Sequence, residues 1–252
     1  MKRCLVMPIM MSKKGGEFLL LGKAEKKKYR HELKYICTAA ELALIQSRIH
    51  HLIPLDPHVG DTGMYNIRSL YFDDYYNRCY YENENGTDPR EKFRIRIYNG
   101  STDKISLELK KKEHGKTLKL SCPLTEEQCR TLMKGEPLPD NSDYPPVLQK
   151  LLLLMKTTMM QPKIIVEYDR VPYVYKLGNV RITLDKNISS CNQLETFLDK
   201  EINKRPIMPA GKHILEVKFD EFLPDYIYSV LQLNNLRQTA FSKFYLCRKF
   251  SI

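Results

Sequence analysis

Apolar and charged positions alternate along this chain in several short runs, and the pattern predicts an antiparallel α+β fold. Residues 30–36, 92–98 and 105–110 alternate most clearly, at the period of two expected of a half-buried strand. Asn99–Gly100 lies between the last two runs as a hairpin signal, and His114–Gly115 opens the turn to a short strand at 116–120. Residues 65–73, 163–170, 179–185 and 213–220 bring the expected total to about eight strands. Pro172–Tyr173 predicts a break or an edge position after the sixth. Two capping boxes, Thr38–Ala39–Ala40–Glu41 and Thr125–Glu126–Glu127–Gln128, each announce a helix. The first continues as the apolar face Leu42, Ile45 and Ile49, and the second runs to about Met133. Residues 147–160, 225–236 and 241–248 also read as helical, and 135–146 as a Pro-rich loop. No repeat interrupts the pattern. Residues 1–28 are expected to be a basic, flexible extension, and 29–252 one domain.

Strand parity sorts the charges. Arg94 and Arg96 share a face opposite Phe93, Ile95 and Ile97, and Ser106, Glu108 and Lys110 oppose Ile105, Leu107 and Leu109. Glu32 pairs in this sense with Lys34, Glu216 with Lys218, Tyr168 with Arg170, and Arg181 with Thr183 and Asp185. Such faces suit the wet side of an open antiparallel sheet. They equally suit the interior of a closed barrel with helices packed outside. Closed around unmatched cations, that interior must be wet or hold an anion.

Charge makes the anion concrete. The chain has 252 residues with 41 Lys and Arg against 30 Asp and Glu, a net +11 that calls for nucleic acid, an acidic membrane surface or phosphate. No apolar run approaches the ~18 residues of a membrane helix. The seven cysteines are odd in number and lack a Cys-x-x-Cys pair, which argues against a disulfide framework and fits a cytoplasmic location. The start has a basic head and a short apolar stretch, but Pro8, Lys13 and Lys14 speak against a secretory signal. Lys23, Lys26, Lys27 and Lys28 form either a solvated tail or an electrostatic arm. The six histidines fall in no catalytic spacing, and no nucleic-acid motif is present.

From about Tyr29 to Arg248 the chain resembles the polyphosphate polymerase domain of the vacuolar transporter chaperone (VTC) family, within the triphosphate tunnel metalloenzyme superfamily. The motifs are Glu32–Leu33–Lys34–Tyr35, Ser69–Leu70–Tyr71–Phe72–Asp73, Phe93–Arg94–Ile95–Arg96 and Leu107–Glu108–Leu109–Lys110. They continue with Gly115–Lys116–Thr117–Leu118–Lys119, Tyr168–Asp169–Arg170, Leu184–Asp185, Leu215–Glu216–Val217–Lys218 and Ser242–Lys243. The resemblance implies a closed antiparallel eight-stranded β-tunnel (barrel) with helices packed outside and a basic interior. It implies phosphate-handling roles for Lys34, Arg94, Arg96, Lys110, Lys119, Arg170, Arg181, Lys218 and Lys243, with Tyr168 and Ser242 contacting substrate. It further implies Mn²⁺ or Mg²⁺ held by Glu216, with Glu108 and Glu32 as further metal candidates.

The activity so implied is metal-dependent transfer of the terminal phosphoryl of ATP, or another nucleoside triphosphate, to inorganic polyphosphate, with pyrophosphate or triphosphate as related partners. Hydrolytic relatives often begin Glu-x-Glu-x-Lys; Arg30 stands at the first Glu position, which favours the polymerase branch. The family's membrane helices and phosphate-sensing domain have no counterpart in this sequence, so translocation through it is not expected. A tripolyphosphate or nucleotide hydrolase of the same fold, and a non-catalytic polyanion-binding module, are the rival readings.

Overall fold

The computed structural model describes residues 29–233 and 236–251; the expected extension at 1–28 lies outside the described residues. Its strands are β1 (His31–Thr38), β2 (Tyr65–Asp73), β3 (Arg90–Tyr98), β4 (Ser101–Glu113), β5 (Lys116–Leu124), β6 (Gln161–Tyr175), β7 (Val180–Cys191), β8 (Arg205–Pro206) and β9 (Lys212–Phe219). Eight of them form one antiparallel sheet in the order β1-β9-β7-β6-β2-β3-β4-β5, and the two-residue β8 pairs with β7. The sheet curls until its ends meet. Arg30 and Thr117 exchange both backbone hydrogen bonds at 2.9 Å, joining the start of β1 to β5.

The hairpins follow from local chemistry. Asn99 and Gly100 have φ of 52° and 64°, and His114 and Gly115 have 49° and 73°, as a two-residue turn with both central residues left-handed requires. The break expected at Pro172 does not occur, because β6 runs on to Tyr175. Pro172 pairs with Thr183 of β7, while its carbonyl accepts from the Asp56 amide at 2.9 Å. Its missing N–H therefore faces a loop rather than a ladder, which is the edge position.

Helices α1 (Ala39–His50), α2 (Arg78–Glu84), α3 (Glu126–Met133), α4 (Pro146–Thr158), α5 (Asp225–Leu231) and α6 (Lys243–Lys249) complete the fold. Both capping boxes form as the sequence predicts. The convex face of the sheet is apolar and covered in two places. α3 and α4 pack on β2 to β5 through Leu132, Leu148 and Leu151, against Phe93, Ile95 and Leu107. α1 and α5 pack on β1, β6, β7 and β9 through Ile45, Ile49 and Ile227, against Ile182, Leu184 and Val217. Burying these side chains contributes about 1.5–3 kcal/mol each before entropy is counted.

α6 departs from the expected arrangement of helices outside the barrel. Phe244 and Cys247 pack against Tyr71, Ile164, Val166, Ile188 and Ile214, residues on the concave side. Ile188 reaches that side because β7 bulges near Asn187 (φ 54°), which reverses the parity after Asp185. One part of the concave face is therefore apolar and filled by α6. The charged part is left to form a cavity.

Candidate functional site

Strand register sets charge against charge around that cavity. Across β1 and β9, Glu32 opposes Lys218 and Lys34 opposes Glu216. Across β3 and β4, Arg94 opposes Glu108; across β6 and β7, Arg170 opposes Asp185. Directly opposed side chains lie close enough to interact, so each pairing fixes a cation in place.

The cavity holds about 1120 Å³ and is lined by eleven Lys and Arg but only three Glu, a balance that favours a polyanion. Of the residues expected at the site, Glu32, Lys34, Arg94, Arg96, Lys110, Tyr168, Arg170, Glu216, Lys218, Ser242 and Lys243 all line it. On one wall Arg94 donates from Nε to Glu108 Oε2 at 2.8 Å and from Nη1 to the Tyr71 hydroxyl at 2.8 Å. Arg96 lies 3.5 Å from the same Glu108 oxygen. On β6 and β7, beyond β2, Arg170 makes two hydrogen bonds to Asp185, and Lys243 Nζ sits 2.6 Å from Asp185 Oδ2. Both cations also lie over the Tyr168 ring, at 5.2 and 4.7 Å.

Three expected residues sit elsewhere. Glu108 is buried beneath the arginines, its Oε2 taken by Arg94 and its Oε1 by Lys119 at 3.1 Å. Lys119 is about half exposed (54%) and reaches the site only through that carboxylate. Arg181 is not brought to the cavity: its Nη2 donates to Asp56 Oδ2 at 2.8 Å and to the Tyr65 hydroxyl at 3.0 Å. A carboxylate in the loop after α1 captures it, and strand parity gives no sign of that loop.

The electrostatics follow from burial opposed by neighbours. Burial disfavours ionised Glu32, yet Lys110, Lys34 and Lys218 overcome it and hold that carboxyl well below the ordinary range. Glu216 is likewise lowered, chiefly by Lys218 acting against burial. Glu108 is held well below by Arg96, Arg94 and Lys119, and Asp185 is held low by Arg170 and Lys243. Lys218 responds in the opposite direction. Burial pushes it down to about 7, although Glu216 and Glu32 resist.

Glu32 and Glu216 both line the cavity and share Lys34, whose Nζ lies 3.1 Å from Glu32 and 3.7 Å from Glu216. No cluster of three or more His, Cys, Asp or Glu suited to a metal occurs among the described residues. A hard divalent cation held by one or two carboxylates, with phosphate oxygens and water completing its shell, nevertheless fits this donor set. Glu108 does not fit, since it does not line the cavity and lies beneath Arg94 and Arg96.

Sequence reasoning passed over Tyr71, Asp185 and Lys92 as site residues. Tyr71 and Asp185 stand inside quoted motifs without an assigned role, and Lys92 shares the parity of Arg94 and Arg96. The signal was present in each case.

A curled antiparallel sheet whose concave face holds a basic cavity of polyanion size has the form of a phosphate-binding tunnel. Residues 29–252 match the VTC domain, and the chain belongs to that family. Its chemistry is polyphosphate-related. No curated protein matches the chain. Among solved structures, a candidate adenylyl cyclase from Hippeastrum, whose description reports a dominant triphosphatase activity, is similar with TM-score 0.50 and 13% identity, over 88% of this chain and 96% of that one. At that identity it shows the fold alone. A candidate adenylate cyclase from Bacillus halodurans aligns with TM-score 0.49 and 12% identity, over 81% of this chain and 87% of that one. The PH1819 protein of Pyrococcus horikoshii OT3 aligns with TM-score 0.45 and 16% identity, over 88% and 99%. No helix among the described residues is long and apolar enough to cross a membrane.

Proposed function

We propose that the protein is a polyphosphate polymerase, which transfers the terminal phosphoryl group of ATP or another nucleoside triphosphate to a polyphosphate chain held in the cavity. The observation that carries this reading is the pair of cationic clusters lining one cavity, Arg94 with Arg96 and Arg170 with Lys243, each anchored on its own buried carboxylate. Phosphoryl transfer asks for alignment and charge neutralisation rather than covalent catalysis. A terminal oxygen of the acceptor chain forms the new P–O bond. The bond between the β-γ bridging oxygen and the γ-phosphorus breaks, and the electron pair leaves with the nucleoside diphosphate. The acceptor oxygen is already anionic, so no general base is required.

The arginines bind phosphate oxygens in pairs and fix the chain's direction, and Lys34, Lys110 and Lys218 act as point charges. Tyr168 backs Arg170 and Lys243, and Ser242 offers a hydroxyl on the same side. Glu216, with Glu32, would hold Mn²⁺ or Mg²⁺, which when bound neutralises phosphate oxygens as charge develops. Pyrophosphate or triphosphate would enter as short chains. No nucleic acid is expected as partner, and the reading places the protein in the cytoplasm.

Purified protein with ATP and Mn²⁺ should yield a ladder of polyphosphate on a gel. Release of orthophosphate with no ladder would move the reading to tripolyphosphate or nucleotide hydrolysis. The Hippeastrum protein, described by a dominant triphosphatase activity on a similar fold, supports that second reading.

A further inference from the structure

Lys92 differs from the cations around it. Lys34, Arg94, Arg96, Lys110, Arg170, Lys218 and Lys243 each lie within ion-pair distance of a carboxylate. Lys92 also lines the cavity, but no carboxylate lies within that distance of it among the described residues. Its ammonium is held by neutral groups on two helices. Nζ donates to Asn83 Oδ1 of α2 at 2.6 Å and to Ser242 Oγ, the cap of α6, at 3.3 Å, and lies 5.0 Å from the Phe244 ring centre.

Its charged surroundings are mostly positive. Arg90 on its own strand, Lys110 on β4 and Lys34 on β1 all oppose its charge. From α2 come Cys79 and Glu82. Burial pushes the Cys79 thiol up, so it stays neutral, and Glu82 lies 3.9 Å from Arg78. Burial and these like charges bring Lys92 down to about 7. A phosphate oxygen entering the cavity would supply the missing counter-charge.

We propose that Lys92 is a further phosphate contact, one that takes up a proton from solvent as the anion enters and so links occupancy of the tunnel to pH. The inference rests on the phosphate-tunnel reading and holds for polymerase and hydrolase alike. It also ties α2 and α6 to the ligand, since Asn83 and Ser242 orient the ammonium that meets it.

The test is calorimetric titration of the metal-free protein with tripolyphosphate at pH 8, in two buffers of different ionisation enthalpy. Wild type should take up about one proton more than Lys92→Met or Lys92→Arg, since neither variant can titrate there. Lys92→Met should bind about tenfold more weakly, the loss of one charge-assisted contact. Lys92→Arg, charged throughout, should lose less affinity between pH 7 and 9 than wild type does. Protons bound by tripolyphosphate itself and by Lys218 are common to all three proteins and cancel in the comparison. Equal proton uptake in all three, with binding intact, overturns the role of Lys92 and leaves the tunnel reading standing. Failure of wild type to bind tripolyphosphate overturns both.

Discussion

Arg170 and Asp185 are joined across β6 and β7 by two hydrogen bonds, 2.6 Å from Nε to Oδ1 and 2.8 Å from Nη2 to Oδ2. Lys243 shares the second oxygen, and Asp185 is wholly buried. One carboxylate therefore anchors two cations of the cavity. Asp185→Asn keeps the shape and removes the charge, leaving Lys243 buried without its ion-pair partner and Arg170 with Glu216 alone. The loss should be about 3–5 kcal/mol of unfolding free energy in urea, and tripolyphosphate should restore part of it. An unchanged urea midpoint would contradict the anchoring role.

Arg94 and Arg96 both lean on Glu108, so removing them has two effects. Arg94→Ala with Arg96→Ala should reduce phosphoryl transfer by at least about 10²-fold, the scale set by loss of a single preorganised donor. It should also destabilise the fold, because Glu108 is then buried with Lys119 as its remaining ion-pair partner. Adding Glu108→Gln should recover stability in thermal melts but not activity. Recovery of activity would show that these side chains act on the fold rather than on phosphate.

Stability should depend on pH in two opposed ways. Folded Lys92 and Lys218 titrate at about 7, against 10.5 for an ordinary lysine, so between those values the unfolded chain binds more protons. Stability of the ligand-free protein should therefore rise from pH 7 to 9. The lowered carboxyls Glu32, Glu108, Asp185 and Glu216 contribute stability above the ordinary carboxylate range, lost as pH falls through their folded values. Melting temperatures across pH 3–9, without phosphate in the buffer, check both limbs. A fall from pH 7 to 9 would contradict the first.

Glu216 contacts Lys34, Arg170 and Lys218 and is the expected metal carboxylate. Glu216→Gln should raise the Mn²⁺ concentration needed for half-maximal activity by about tenfold or more, on the scale of a lost charged ligand. Glu108→Gln should leave that requirement unchanged, since Glu108 lies outside the cavity lining. Equal shifts in the two variants would reverse the assignment.

Much of this was legible in the sequence because strand parity is a local property. The faces of β3, β4 and β9, both capping boxes and the Asn99–Gly100 turn all follow from neighbouring residues. What was not legible depends on distant contacts. α2 has no capping signal at its start: Asn77 is left-handed there, with no side-chain cap. Instead the buried Asp73 carboxylate accepts from the amides of Cys79 and Tyr80, six and seven residues on. Arg181 has the parity of a site residue but is drawn away by Asp56, 125 positions earlier. The apolar seat of α6 needed a bulge at Asn187 to turn Ile188 inward.

A crystal soaked with tripolyphosphate and Mn²⁺ tests the central claim most directly. The phosphate chain should lie in the cavity against Arg94, Arg96, Arg170 and Lys243, within hydrogen-bond distance of Lys92, with Mn²⁺ on Glu216. Phosphate bound only on the outer surface, with the concave cavity empty, would contradict it.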